Sequence, residues 1–178
     1  MDQGMTLRPI GQEDNQALYE LIRATLEVFG LDQEGTAYTD PELAKLWDYY
    51  QALDGAEYFV LMDENGKVIG GAGYAPFADG ICELQKLYLR EADQGRGLGK
   101  KLLETVEREA RKTYRHLYLE THSTLERALK LYENMDFQRL ERPHPLTVHS
   151  AMDIWMIKDL RSKKDASTLG KKLMVGEK

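Results

Sequence analysis

The chain has 178 residues, 42% of them hydrophobic and 30% charged, and a formal net charge of -6. That length suits one domain around one sizeable core, and the acidic balance argues against a broad nucleic-acid footprint. An anionic ligand would need a local positive site on an otherwise negative protein. The single cysteine, Cys82, cannot build a disulfide framework and points to a reducing compartment. Met1 to Ile10 carries charge and no long apolar run, unlike a signal peptide. No window approaches the roughly 18 to 20 continuous apolar residues of a membrane span. The expectation is a cytoplasmic protein without membrane contact.

Thr6 to Ile10 opens the chain as a short strand candidate. From Asp14 to Phe29, Leu18, Ile22, Leu26 and Phe29 share one stripe, which predicts an amphipathic helix ended by Gly30. Leu31 to Thr39 has little pattern and reads as a loop. Asp40-Pro41 marks a second helix start, with Asp40 as N-cap, after which Leu43, Leu46, Trp47 and Tyr50 share a face. Tyr58 to Met62 and Lys67 to Tyr74 flank Asn65-Gly66, a strong hairpin signal. Ile81 to Leu89 is a further strand whose alternation breaks at Lys86 and Leu87, which permits a β-bulge. Leu98, Leu102, Val106 and Ala110 recur near four-residue spacing and predict a helix from Leu98 to Thr113. Leu117 to Thr121 is a short buried strand. Ser123, with Glu126 three residues later, reads as a capping box for a helix carrying Leu125, Ala128, Leu131, Tyr132 and Met135. Phe137 to Leu140 and Ala151 to Ile157 read as closing strands around a loop that holds Pro143 and Pro145. Residues 161–178 form a Lys-rich appendage to a domain spanning residues 1–160. This order predicts an α/β (α+β) architecture with a mixed sheet.

The chemistry-bearing motif lies between a strand and a helix, at Gln94-Gly95-Arg96-Gly97-Leu98-Gly99. Glycine lets consecutive backbone N–H groups point at one spot. The first turn of the following helix adds unpaired donors and partial positive charge. Together these make an anion site suited to phosphate, with Arg96, Lys100 and Lys101 nearby. The dinucleotide fingerprint needs glycine where Lys100 stands, and the P-loop spacing is absent. A plain flexible turn is the competing reading of the motif taken alone.

Four blocks in order carry a resemblance: Glu83-Leu84-Gln85-Lys86-Leu87-Tyr88-Leu89, the glycine loop, Leu119-Glu120-Thr121, and Ala128 to Phe137. They resemble the GNAT superfamily of acyl-CoA-dependent N-acyltransferases over about residues 6–160, with a bacterial branch of small-molecule and amino-acid acetyltransferases the nearest likeness. Asp136 replaces the family's glycine in Tyr-Glu-x-x-Gly-Phe, a change that bears on a turn. The resemblance implies a mostly antiparallel central sheet of about six to seven strands with helices on both faces, and acetyl-CoA as cosubstrate. It implies that the strand at Ile81 to Leu89 splays from the one at Leu117 to Thr121. Pantetheine would bond there to the backbone of Leu87, Tyr88 and Leu89, like an added strand. The pyrophosphate would sit on Gln94 to Lys100. Leu125 occupies the place of an asparagine that contacts the cofactor in many members; Ser123 or Thr124 could substitute.

Transfer of acetyl to an amine requires loss of the ammonium proton, polarisation of the carbonyl and protonation of the thiolate. The resemblance assigns the general acid to Tyr132, which is also readable as an aromatic on a buried helix face. Glu83, eleven residues before Gln94, matches a glutamate base in the family's lysine-acetylating enzymes; a strand-surface charge is the alternative. The amide of Leu89 would hold the oxyanion. His122 is an alternative base, and Arg142 could pair with a substrate carboxylate. Tyr38, Asp40 and Glu42 lie where the family builds its substrate wall. No metal site is expected. The leading expectation is acetylation of a small-molecule amine, with an amino acid first. A protein lysine or N-terminal acetyltransferase and a non-catalytic acyl-CoA module stay open as alternatives, and a homodimer is possible.

Overall fold

The computed structural model describes residues 4–161, so all of the Lys-rich appendage but Arg161 lies outside the described residues. Among the described residues, seven strands form one sheet in the order β1-β2-β3-β4-β5-β7-β6: β1 (Thr6–Pro9), β2 (Glu57–Met62), β3 (Val68–Ala78), β4 (Ile81–Leu89), β5 (His116–Thr121), β6 (Gln138–Leu140) and β7 (Ile154–Asp159). Only the β4–β5 pair is parallel. Helices α1 (Asn15–Val28) and α2 (Leu46–Ala52) precede the first hairpin, while α3 (Leu98–Ala110) and α4 (Glu126–Asn134) flank β5 in sequence. The strand count and mixed α/β layering agree with the expectation.

Strand alternation divides the interior into two cores. Along β2, Tyr58 and Val60 join Leu18, Ile22, Leu26, Leu43 and Leu46 under α1 and α2. Phe59 and Leu61 instead join Leu84, Leu102, Leu103, Val106, Leu117, Leu119 and Met156 under α3 and α4. The α3 stripe seen in the sequence is buried, as are Leu18, Ile22 and Leu26 of the α1 stripe; its fourth member, Phe29, is the C-cap of a helix that ends at Val28 and is 38% exposed.

Two predicted helix starts differ in their caps. A 3-10 turn, Leu43–Lys45, precedes α2, and the Asp40 side chain does not cap it. Asp40 instead accepts from Lys86 Nζ at 2.6 Å and lies 3.0 Å from His149 Nε2. A buried ammonium and an imidazole N–H hold that carboxylate in place of backbone amides. Ser123 likewise does not cap α4, whose N-cap is Leu125. The Ser123 amide and hydroxyl both donate to Asp153, at 2.8 and 2.7 Å. The capping-box pattern is local, and a carboxylate from the segment before β7 outcompetes it. Asp136 adopts φ +66, the left-handed turn that its glycine-like position implied.

Candidate active site

The cleft begins where β4 and β5 part. Their pairing covers Ile81↔His116, Cys82↔Leu117 and Glu83↔Tyr118 and then stops, although both strands continue. A β-bulge at the expected place bends β4 away: Gly73 pairs with Gln85 and Gly71 with Tyr88, so Lys86 and Leu87 together oppose Ala72. Lys86 carries the strain, at φ +50. Tyr58 secures the bulge by donating its hydroxyl to the Lys86 carbonyl at 2.8 Å. A side chain at Gly71 or Gly73 would collide with the Tyr58 ring. Beyond the bulge the Arg90 amide bonds β3 at Ile69, 2.7 Å away. Alternation therefore turns the Leu89 amide the other way, into the splay.

The glycine loop lies at one end of this opening. Gly97 is the N-cap of α3 in the left-handed conformation, φ +76, with no side-chain cap. Gly95 is also left-handed, at φ +77, and a side chain at either glycine would meet open space. Backbone conformation therefore sets the need for glycine there. The amides of Leu98, Gly99 and Lys100 open the helix with no carbonyl four residues back to meet. Buried Asp93 holds Arg90 at 2.6 Å and Arg96 at 3.0 Å. Gln94 ties the loop to β4 by donating to the Leu89 carbonyl at 3.1 Å. The arrangement presents uncapped amides and a helix dipole to an anion.

Between these features runs a cleft lined by Glu83, Lys86, Leu87, Tyr88, Glu120, Leu125, Tyr132 and His149, with Leu26, Leu31 and Thr36 on its far wall. Glu83 is 7% exposed and accepts from Gln85 Nε2 at 3.0 Å, while Tyr50 donates to Gln85 Oε1 at 2.7 Å. Burial raises the Glu83 carboxyl above its ordinary range. Burial also raises the Tyr132 phenol, so it stays protonated well past neutrality. Lys86, buried in the bulge, holds Asp40 and lies 3.4 Å from Glu42. Burial alone would raise the Asp40 carboxyl, but the bonds from His149 and Lys86 outweigh it and hold it low. The Asp40 hydrogen bond raises His149 in turn.

The Acetyltransferase (GNAT) family model matches residues 15–137. The chain belongs to the GNAT acetyltransferase family. A curated relative in Escherichia coli, the uncharacterized N-acetyltransferase YjgM, is 34% identical over 163 residues, covering 89% of this chain and 96% of the relative. The L-methionine sulfoximine/L-methionine sulfone acetyltransferase of Salmonella typhimurium is 32% identical over 121 residues, covering 64% of this chain and 67% of that protein. Among solved structures, yncA of Salmonella typhimurium with acetyl-CoA superposes with a TM-score of 0.70 at 22% identity, covering 90% of this chain and 96% of that one.

This GNAT protein is an acyl-CoA-dependent acetyltransferase with acetyl-CoA as cosubstrate. Its residues fit that ligand: α3 offers uncapped amides for a diphosphate, and the unpaired edges of β4 and β5 offer hydrogen bonds to an amide-bearing arm. Of the residues singled out in the sequence, Glu83, Leu87, Tyr88 and Tyr132 line one cleft. Lys100 is exposed and lies 3.7 Å from Glu104. The residues expected to meet the substrate, Tyr38, His122 and Arg142, also lie outside the lining. The Tyr38 hydroxyl binds Arg23 and donates to Glu27 at 2.7 Å, and the Arg23 guanidinium stacks on its ring. His122 bonds Thr124 at 2.8 Å, and Arg142 is exposed on the loop before β7. Glu120 and His149 are site groups that no motif flagged. Glu120 sat inside a quoted block, where alternation with buried Leu119 already placed it on the sheet face shared with Tyr118. His149 had no local signal, because a long loop delivers it. Among the described residues, no helix is long and apolar enough to cross a membrane.

Proposed function

We propose that this enzyme moves acetyl from acetyl-CoA to the primary amine of a small molecule, with an amino acid as the first class to test, by direct transfer in a ternary complex. The observation that carries this reading is one cleft walled by a buried carboxylate, Glu83, and a buried phenol, Tyr132. Acetyl-CoA supplies the thioester carbonyl. The amides at Leu98 to Lys100 hold its diphosphate, and the Leu89 amide, turned into the splay, stabilises the carbonyl oxygen. Glu83 receives a proton from the amine, and its raised affinity brings it closer to that task than an exposed carboxylate. Tyr132 protonates the departing sulfur. Direct transfer agrees with the state of Cys82: it is fully buried on the α3 side, and burial pushes its thiol up to about 12, so it makes a poor acyl carrier. The amino-acid preference rests on the Salmonella relative, whose name describes acetylation of two amino-acid derivatives.

A panel of amino acids, their sulfone and sulfoximine derivatives, simple amines and lysine peptides, read by free-thiol release, tests the proposal. Turnover of small amines or amino acids supports it. Preference for peptides would reassign the enzyme to protein substrates, and coenzyme A binding without thiol release from any amine would mark a regulatory module.

A further inference from the structure

Among the described residues, three buried side-chain atoms lack a hydrogen-bond partner: both carboxylate oxygens of Glu120 and the indole nitrogen of Trp155. Buried polar atoms are rarely left unmade, and each instance calls for an explanation. These three belong to cross-strand neighbours, since Glu120 pairs with Trp155 between β5 and β7, and such pairs share a sheet face. Each Glu120 oxygen exposes less than 1 Å². Glu120 stands on β5 just past the last β4–β5 pair, at the floor of the splay where an acyl group would lie. Oxygen atoms of Glu83 and Glu120 and a ring nitrogen of His149 fall within 4.8 Å of one another.

We propose that Glu120 is a second catalytic carboxylate, working with Glu83 so that the two protons an acceptor nitrogen must lose go to two separate bases. The inference rests on the amine-acetylation reading above. The acceptor arrives as R–NH3+, and its ammonium replaces the missing partner of Glu120. Glu120 takes one proton, leaving R–NH2. The nitrogen lone pair forms the C–N bond to the acetyl carbon as the C–S bond breaks. The nitrogen gives its second proton to Glu83, and the departing thiolate takes the proton of Tyr132. One of the two carboxylic acids restores Tyr132 through solvent and the other discharges, so one proton leaves per turnover.

The environment of Glu120 agrees. Burial first, and the charge of Glu83 second, raise its carboxyl to about 7, with His149 and the nearby Thr147 hydroxyl opposing. Such a group is ionised in mildly basic solution yet binds a proton readily. The charged or titratable groups facing it are Glu83 from β4, His149 from the loop before β7 and Tyr118 from its own strand, with Asp40 and Lys86 behind Glu83.

The test compares wild type with Glu120→Gln and Glu120→Asp, using the best amine from the panel. Glu120→Gln should keep its acetyl-CoA dissociation constant and lower kcat/KM for the amine about 100-fold or more. The acid limb of the wild-type pH profile should steepen from a slope of one to two, and Glu120→Gln should leave a slope of one. Glu120→Asp should fall between. In the protein without coenzyme A, carboxyl 13C resonances should show Glu120 titrating near neutrality, and Glu83→Gln should lower that value. An active wild type with an unchanged Glu120→Gln overturns this proposal alone. So does activity that a chelator removes and a divalent cation restores, since the cluster would then be a metal site. A wild type inactive toward every amine overturns the parent reading and this one together.

Discussion

Lys86 ties β4 to the Asp40–Glu42 segment through one buried ammonium, and replacing it with methionine isolates what that charge contributes. Its side chain is 3% exposed, 2.6 Å from Asp40 and 3.4 Å from Glu42. Removing one member of a fully buried pair costs about 3 to 5 kcal/mol, because the other charge is left without compensation. Here the loss is moderated. Asp40 keeps His149 at 3.0 Å, and the Asp40 and Glu42 side chains are 14% and 24% exposed, so water reaches them. We expect Lys86→Met to cost about 2 to 3 kcal/mol, just below that range. Methionine retains the unbranched stem and the same backbone demand at φ +50, so the change reports charge rather than packing. Urea unfolding should show a lower midpoint at unchanged slope. Asp40→Asn together with Lys86→Met should cost at least about 1 kcal/mol less than the sum of the singles, since they share one interaction. A single-variant loss under about 0.5 kcal/mol, the scale of a surface pair, or simple additivity in the double variant, would refute the argument.

Tyr132→Phe should lower kcat about 100-fold or more with little change in acetyl-CoA affinity; unchanged turnover at saturating substrates would remove the phenol from the reaction. Gly97→Asp should abolish acetyl-CoA binding in calorimetry by placing a negative charge at the uncapped start of α3. Gly97→Ala, which meets open space, should cost only about 1 to 2 kcal/mol of left-handed backbone strain. For His149, the folded pKa is raised, so its contribution is complete below the unfolded value of about 6.5 and fades as pH rises through the folded value. The stability difference between wild type and His149→Gln should therefore be larger at acidic than at basic pH in urea titrations. A difference that grows with pH would contradict the Asp40–His149 pairing.

Hydrophobic periodicity was enough to locate the α1 and α3 stripes, the hairpin about Asn65-Gly66 and the limits of β4, because each is a local consequence of side-chain spacing. The same local rules failed at Asp40 and Ser123. Both have the chemistry of a cap, yet each is claimed by a residue far away in sequence, Lys86 or Asp153. The site divides along the same line. The glycine loop and the bulge are short-range features and could be read directly. The acidic cluster is assembled from β4, β5 and the loop that delivers His149, so its members share no motif. Tyr38 follows Thr36 and Ala37 of the cleft lining, but Arg23 and Glu27 on α1 occupy its hydroxyl.

The bulge also explains why the two halves of β4 can serve different purposes. Before it, Cys82 and Leu84 enter the α3 core while Glu83 and Gln85 face the other way; after it, Leu87 and Leu89 enter the α3 core and Tyr88 joins the α1 side. The extra residue shifts the phase of alternation by one, with Lys86 absorbing the shift. Deleting Lys86 should therefore leave the remaining side chains on their present faces while straightening the strand. A straight β4 could continue its ladder with β5 past Glu83, setting Gln85 opposite Glu120 and consuming the edges that acetyl-CoA would use. The deletion should fold with a stability comparable to that of Lys86→Met: both lose the same ion pairs, and removing a residue from the left-handed region offsets most of the about 1 to 3 kcal/mol lost when the buried Tyr58 hydroxyl no longer has the Lys86 carbonyl as acceptor. Unlike Lys86→Met, it should lose acetyl-CoA binding. Calorimetry on the two variants side by side decides the point: a deletion variant that folds and binds acetyl-CoA like the methionine variant would show that the splay does not depend on the bulge.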